Sequence, residues 1–473
     1  MEIDGQERKT SGLDLLFRPR SLAIIGVSPD TSKGGGFLWQ RIQKHGYQGK
    51  QYPVSRRCSD INGIPCYKSV SEIPEEVDVV IAAVPAQAVD RVLEDCIRKE
   101  VRFVIIHGAG FAEAGKNGKI LQERVVEAAR SGGIRLVGPN CMGVFCPDIG
   151  LDTIVDVEEE ALEPGGTAFC SQSGWVTEDF IAGGSARGLR FSTVVSSGNQ
   201  ADLDLYDYIS YFAGDPGTKA IGAYIEGMRR GREFFDLAAE VSRVKPLIIW
   251  KSGFSRSGNK AAISHSGSIA GKREIWMGGA RSSGIITVTG PEEILDTAVA
   301  FSAPILAGGK KVGIIVEAGG GGISACDACE DLGLEVKPFS AGLRNKLEEL
   351  LKEHLPPFSG TSNPLDLVWL PVDKAMDIIL NCVQLIADEV DSIIYMSYLP
   401  FFMPEARPEY IKILSRLRDD LKLPIFIVPP YASRAVPGMK EFTLAGLPAF
   451  PSFERAAKAV SATSRYQSWI SSV

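Results

Sequence analysis

The sequence has no apolar run long enough to cross a membrane. Its longest, Val77 to Val92, is broken by Asp78, Pro85, Gln87, Asp90 and Arg91. The N-terminus, Met1-Glu2-Ile3-Asp4-Gly5-Gln6-Glu7-Arg8-Lys9, is charged where a secretory leader is apolar. Both absences predict a cytoplasmic protein without a membrane partner. A basic run is also lacking: 51 Lys and Arg face 58 Asp and Glu, for a net charge of −7, so no electrostatic footprint for nucleic acid exists. Histidine is scarce, with four in the chain, and Cys326 and Cys329 have no second pair or nearby His cluster to complete a zinc site. The nine cysteines therefore read as reduced thiols, and no metal site is expected.

What is present is length, an ordinary apolar content and glycine. At about 150 residues per domain, 473 residues suggest about three domains. Hydrophobic residues at 45% and charged ones at 23% describe a globular chain rather than a disordered one. The 50 glycines cluster directly after β-rich segments, where phosphates bind. Strands are predicted at 21–26, 51–54, 77–84, 102–107 and 134–137, with helices from about Phe37 to His45 and Ala88 to Lys99 between them. This alternation is that of a Rossmann-like domain. Strands at 167–170, 191–195, 220–225 and 246–250 repeat the grammar as a flavodoxin-like domain, and Lys311 to Val316 opens a third strand–glycine–helix unit. The expected fold class is α/β: a Rossmann-like domain (1–150), a flavodoxin-like domain (151–305) and a second flavodoxin-like domain (306–473).

Each domain opens on a strand that leads into a turn of small residues. In the first, Gly26-Val27-Ser28-Pro29-Asp30-Thr31-Ser32-Lys33-Gly34-Gly35-Gly36 offers backbone N–H groups and a helix N-terminus to an anion, although glycines there also serve close packing. A nicotinamide site would carry Asp or Glu after the second strand. Here Val54 is followed by Ser55-Arg56-Arg57, cations that suit a phosphorylated ribose as in NADP or coenzyme A, unless they are merely a solvated pair. The second turn is Ser171-Gln172-Ser173-Gly174 and the third Gly319-Gly320-Gly321-Gly322-Ile323-Ser324. Hydroxyls of Ser171, Ser173 and Ser324 are candidate donors to a phosphoryl group. Four consecutive glycines are entropically costly, which argues for a compensating function.

Of the four histidines, His45, His107 and His354 read as structural or surface residues. His265 sits in Ala261-Ala262-Ile263-Ser264-His265-Ser266-Gly267-Ser268-Ile269-Ala270-Gly271, with nothing bulky to bury the imidazole and no metal-ligand partners close in sequence. Such a residue can act as a nucleophile that carries a covalent group, and it needs a carboxylate to hold its tautomer. Glu226, ending Ala223-Tyr224-Ile225-Glu226, is the candidate because strand ends face the ligand crevice.

These segments, with Gly138-Pro139-Asn140-Cys141-Met142-Gly143 and Gly108-Ala109-Gly110-Phe111-Ala112-Glu113, resemble the α subunit of nucleoside-diphosphate-forming acyl-CoA synthetases and, more distantly, succinyl-CoA synthetase. The resemblance runs in one motif order from about Leu15 to the C-terminus. It implies a CoA-binding first domain, a phosphohistidine on the second and a ligase domain as the third. It further implies that His265 is the phosphorylated residue and Glu226 its orienting carboxylate. Ser171, Gln172, Ser173, Gly174 and Gly319, Gly320, Gly321, Gly322 would open two helices whose N-termini hold the phosphoryl group. Gly26, Ser28, Lys33, Gly34, Arg56, Val84, Pro85 and Asn140 are the expected coenzyme A contacts. The chain departs from the family at Ser55-Arg56-Arg57, where Asn-Pro-Lys is frequent, and at Ser266, where Thr is. No ATP-grasp domain is recognised in the sequence, so ATP or ADP with Mg2+ is expected on a separate ATP-grasp β subunit, in an α2β2 assembly acting on a small organic acid or acyl-CoA. Two other readings stand beside this one. A non-catalytic CoA-binding regulatory protein would need neither His265 nor Glu226, and an NADP-linked oxidoreductase leaves the second and third turns unexplained.

Overall fold

The computed structural model describes residues 12–32, 34–154, 162–260, 271–356, 359–368, 370–430 and 432–472. The chain divides into two compact units, one made of Met1–Ala182 with Arg190–Pro291, the other of Gly183–Leu189 with Glu292–Val473.

The first unit holds two sheets. Strands β1 (Ser21–Ile25), β2 (Lys50–Val54), β3 (Val79–Ala82), β4 (Phe103–Ile106) and β5 (Arg135–Val137) form a parallel sheet in the order β2-β1-β3-β4-β5. β3 and β4 are buried along their whole length, as apolar strands covered by helices on both faces must be. Helices α1 (Gly34–Lys44), α2 (Val89–Arg98) and α3 (Lys116–Ser131) connect them. α2 shows why it packs: Val89, Val92, Leu93 and Cys96 fall at i, i+3, i+4 and i+7 and are all buried. From β1 the chain moves outward to β2 and then returns to the other side at β3. That reversal opens a crevice at the carboxyl ends of β1 and β3.

The second sheet comprises β6 (Gly143–Cys146), β7 (Leu151–Asp152), β8 (Thr167–Ser171), β9 (Phe191–Ser196), β10 (Ala220–Ile225), β11 (Leu247–Lys251) and β12 (Ile286–Val288), ordered β12-β11-β10-β8-β9-β6-β7. The sequence reading put residues 143–150 in the first domain, but β6 pairs antiparallel with β9 in the second sheet. The physical reason is that distant pairing, which local contacts then secure. β6 is wholly buried, and Thr153 Oγ1 accepts the Val144 N–H at 2.8 Å and donates back to the Met142 carbonyl. His45, just past the end of α1, is buried with its Nδ1 3.1 Å from Asp152 Oδ2, a structural role.

The second unit carries a parallel sheet of β13 (Val312–Val316), β14 (Leu365–Asp366), β15 (Ser392–Met396) and β16 (Ile425–Val428), ordered β14-β13-β15-β16. Glu292 to Phe301 packs here, ahead of the break read from the sequence at 303–309. Buried Asp296 accepts hydrogen bonds from Arg187 Nη1 at 2.6 Å and from Arg455 Nη2 at 2.8 Å, and the Phe301 ring meets Tyr466 edge-on at 5.4 Å. Among the described residues no helix is long and apolar enough to cross a membrane.

Candidate functional site

The crevice at β1 and β3 is a cleft of about 920 Å³. Six residues expected to contact the coenzyme meet there: Gly26, Ser28, Gly34, Arg56, Val84 and Pro85. Gly26 has φ +95°, and a Cβ on it would lie 2.4 Å from the Ala83 carbonyl oxygen, so the turn leaving β1 requires glycine. Gly34 has φ +58° with nothing within 4 Å of where a Cβ would sit, which leaves the first turn of α1 open. Asp30 holds the turn between them, its carboxylate accepting the Ser32 N–H at 3.0 Å. Arg56 and Arg57 extend exposed from the end of β2.

Two further cations, Lys68 and Arg91, line the same cleft and were missed in the sequence. Arg91 had a local signal, since it lies in the first turn of the helix that follows Val84-Pro85. Lys68 had none: it reaches the cleft across a loop, where its ammonium donates to the Cys58 carbonyl at 2.8 Å. Asn140 stands apart from these residues, beyond β5, with φ +57°, its N–H on the Gly108 carbonyl at 3.0 Å and its Nδ2 on Asn199 Oδ1 at 3.4 Å. It does not line the cleft. Lys33 lies outside the described residues.

The second turn joins β8 to helix α4 (Gly174–Ala186). One of its hydroxyls is committed locally: Ser171 Oγ donates to the Ser173 carbonyl at 2.8 Å, whereas Ser173 Oγ accepts the Val176 N–H at 3.3 Å as a helix cap and keeps its own proton to donate. Gln172 spends its side chain on neighbouring segments. Its Nε2 donates to Gln200 Oε1 and to the Gly227 carbonyl, both at 3.0 Å, so its two amide protons are taken and none is left for a phosphoryl oxygen. Its Oε1 accepts from the N–H groups of Glu226 and Gly227. An anion at this turn would therefore meet the first-turn N–H groups of α4, beginning with Gly174, together with the Ser173 hydroxyl.

Glu226 follows directly on β10 and is buried, with 7% of its surface exposed. Its Oε1 accepts from Tyr224 Oη at 3.3 Å, and Tyr224 accepts in turn from Ser252 Oγ at 2.9 Å. Burial raises the Tyr224 hydroxyl to a pKa of about 12, so it remains a donor at neutral pH. Lys251, ending β11, donates to the Glu226 and Ser252 carbonyls at 2.8 and 2.5 Å, and burial pulls its pKa down to about 8. His265 falls in 261–270, outside the described residues.

In the second unit, helix α5 (Gly319–Glu330) begins with the four glycines, so no Cβ shields its first N–H groups. Glu317, just before it, was given no role from the sequence. Its Oε1 accepts from Tyr395 Oη at 2.9 Å and Ser397 Oγ at 3.0 Å, and its Oε2 accepts from the Tyr398 N–H at 2.8 Å. Burial nonetheless raises its pKa. Ser324 spends its hydroxyl on Glu454 at 3.4 Å.

Two family patterns match the chain: the CoA binding domain over residues 20–147 and the Succinyl-CoA ligase like flavodoxin domain over residues 164–301. The chain is 35% identical over 463 residues to the ADP-forming acetate–CoA ligase I subunit alpha of Pyrococcus furiosus, covering 97% of this chain and 98% of that one. It is 36% identical over 400 residues to the ADP-forming acetate–CoA ligase I of Archaeoglobus fulgidus. That match takes in 85% of this chain but 56% of the longer relative, so the chain spans little more than half of that protein. Among solved structures, the dinucleotide forming acetyl-coenzyme A synthetase 1 of Candidatus Korarchaeum cryptofilum, in complex with phosphate and ADP, superposes with a TM-score of 0.85 at 28% identity over 98% of this chain and 99% of that one.

Proposed function

Because the chain belongs to the family of ADP-forming acetate–CoA ligase alpha subunits, we propose that it performs the acyl and first phosphoryl transfers of an acid–CoA ligase. The net reaction is acyl-CoA, ADP and phosphate to acid, CoA and ATP, or its reverse. A phosphate oxygen attacks the thioester carbonyl and CoA leaves as the thiol, giving an acyl phosphate. A ring nitrogen of His265 then attacks phosphorus, and the P–O bond breaks to release the carboxylate. Finally a β-phosphate oxygen of ADP takes the phosphoryl group and frees the imidazole. Glu226 holds the imidazole with one nitrogen protonated and the other free to attack.

The observation that carries this reading is the clamp between Gln172 and Glu226. It fixes a buried carboxylate at the carboxyl edge of the second sheet, beside the turn that opens α4. A protein that only bound coenzyme A has no use for that carboxylate. The cleft at β1 and β3, with Gly26, Ser28, Gly34 and Arg56, holds the coenzyme. Several relatives bear the name alpha subunit, which supports a partner. We place ATP or ADP with Mg2+ on that partner, an ATP-grasp β subunit in an α2β2 assembly, and the glycine turn 319–322 serves the later phosphoryl transfer.

The test is phosphorylation. The full chain incubated with acetyl-CoA and labelled phosphate is expected to take up acid-labile label. His265→Ala should abolish it while leaving coenzyme A affinity intact, and Glu226→Gln should slow it strongly. Label retained by His265→Ala overturns the mechanism.

A further inference from the structure

Apart from the coenzyme cleft, the first unit has a cavity of about 580 Å³ that the mechanism has not used. It lies between α3, the loop after β9 and the turn after β10, where it touches Gly227, the residue next to Glu226. Ala112, Val126, Ala201 and Met228 give it apolar walls. Gln122 is one of its polar lining residues, with Gln172, Asn199 and Gln200. It is 91% buried, being 9% exposed, and its Oε1 accepts from Asn199 Nδ2 at 3.0 Å and from the Ala112 N–H at 3.4 Å. Its Nε2 has no hydrogen-bond partner among the described residues. That nitrogen is itself open to solvent in the cavity that Gln122 lines, so a ligand bringing an acceptor there takes the place of water at the donor.

The cavity stands where an acyl group would arrive. From the end of β1, where the coenzyme cleft lies, the carboxyl edge of the first sheet runs past β3 and β4 to β5, three strand spacings or about 14 Å. A pantetheine arm laid along that edge passes Val84 and Gly108 and reaches Asn140. There a hydrogen-bond chain continues outward: Asn140 Nδ2 to Asn199 Oδ1, then Asn199 Nδ2 to Gln122 Oε1. The end of the arm and the wall of the cavity are therefore held in one network. The rim mixes Lys119, Arg130 and Arg229 with Glu123 and Glu127, so charge alone favours an anion only slightly.

We propose that this cavity receives the acyl group, and that the Gln122 amide selects short chains bearing a distal oxygen over hydrocarbon chains of the same length. The proposal rests on the coenzyme reading above. An acetyl group fills only a small part of the space and leaves the Gln122 donor to water. A four-carbon chain ending in a hydroxyl or carboxylate places an acceptor there.

Butyryl-CoA, 4-hydroxybutyryl-CoA, succinyl-CoA and free CoA, titrated calorimetrically into the full chain, test this. Both oxygenated thioesters are expected to bind at least about tenfold more tightly than butyryl-CoA, because a site built around a donor rejects the analogue lacking its acceptor. Gln122→Glu keeps the Oε1 acceptor for Asn199 but puts an oxygen where the donor was. It should weaken succinyl-CoA at least about tenfold while free CoA stays within about twofold of the parent chain. Gln122→Met should bring both oxygenated thioesters down to the butyryl level. Butyryl-CoA binding as tightly as the others, or a preference that survives both substitutions, overturns the proposal while leaving the coenzyme site standing. Failure of free CoA to bind the parent chain overturns the coenzyme reading first, and this inference with it.

Discussion

The Gln172 carboxamide grips the backbone on which Glu226 is carried: its oxygen accepts the N–H groups of Glu226 and Gly227, and its nitrogen donates to the Gly227 carbonyl at 3.0 Å. One side chain from the turn after β8 thus sets the direction in which the strand-end carboxylate leaves β10. This is a positioning role.

Gln172→Leu should therefore do two things. Two buried N–H groups lose their acceptor, which costs about 1–3 kcal/mol each when nothing replaces it, so urea unfolding should show a loss of about 3 kcal/mol. Phosphate labelling should fall further than stability explains, because the Glu226 carboxylate loses its aim. Gln172→Glu retains the accepting oxygen but sets a second oxygen against the Gly227 carbonyl and Gln200 Oε1, so it should recover only part of the stability. Unchanged labelling in Gln172→Leu would show that the clamp is structural only.

Arg56 is exposed at the coenzyme cleft and makes no ion pair among the described residues, which leaves its guanidinium open to a phosphate. Arg56→Ala should raise the dissociation constant for coenzyme A roughly tenfold, the worth of one charge-assisted hydrogen bond of about 1.5 kcal/mol. Coenzyme lacking the 3′-phosphate should bind both proteins alike. Calorimetry at two ionic strengths separates the outcomes, since the contribution of Arg56 should shrink as salt rises. An equal loss for both coenzymes would place Arg56 on the diphosphate instead.

Much of this architecture was legible because parallel strands buried on both faces are written as continuous β-branched runs. Those at 21–26, 102–107, 167–170 and 220–225 sit within a residue of their structural bounds. The glycine turns were legible for the same local reason, and Gly26 and Gly34 bear it out by their positive φ. What escaped was set by distant partners. Gly143–Cys146 falls within the expected first domain with no strand of its own, and only its pairing with Val194–Ser196 assigns it to the second sheet. Gln172 reads as one residue of the phosphate turn, and nothing near it in the sequence shows that its amide donates to the Gly227 carbonyl 55 residues onward. Lys68 and Gln122 gain their meaning from loops that fold over them, and no spacing within the sequence announces either.

In the second unit Asp296 joins three chain segments, since Arg187 and Arg455 both donate to its carboxylate. Its side chain is 7% exposed, against 12% for Arg187 and 28% for Arg455, so the charges are largely withdrawn from water. Removing one member of such a cluster leaves the others buried and unbalanced. Asp296→Ala should destabilise this unit by about 3 kcal/mol, whereas Asp296→Asn, which still accepts, should cost less. Differential scanning calorimetry reads both. Equal, small losses would mean that solvent already screens the cluster.

The buried thiols predict how the fold responds to alkali. Burial raises Cys96, Cys141, Cys329 and Cys382 to about 12, against the usual value of 9.0. A thiol with a raised folded pKa binds its proton in the folded chain when the unfolded chain has released it. Its contribution is thus complete below about pH 9 and is lost progressively as pH climbs toward 12, by up to about 1.4 kcal/mol per thiol per pH unit. Lys251 opposes them. Its folded pKa of about 8 lies below the ordinary 10.5, so the cost of burying its charge is in full force below pH 8 and disappears by pH 10.5, which raises stability across that window. Losing the proton sacrifices no hydrogen bond, because a neutral amine still has two N–H groups for its two carbonyl partners. With several thiols against one lysine, urea unfolding should show net stability falling from about pH 9 upward. Cys382→Ala should flatten the fall in the second unit, and Lys251→Met should steepen it in the first. If stability holds level to pH 11 in the parent chain, the buried thiols exchange protons with solvent as freely folded as unfolded, and this account of their burial fails.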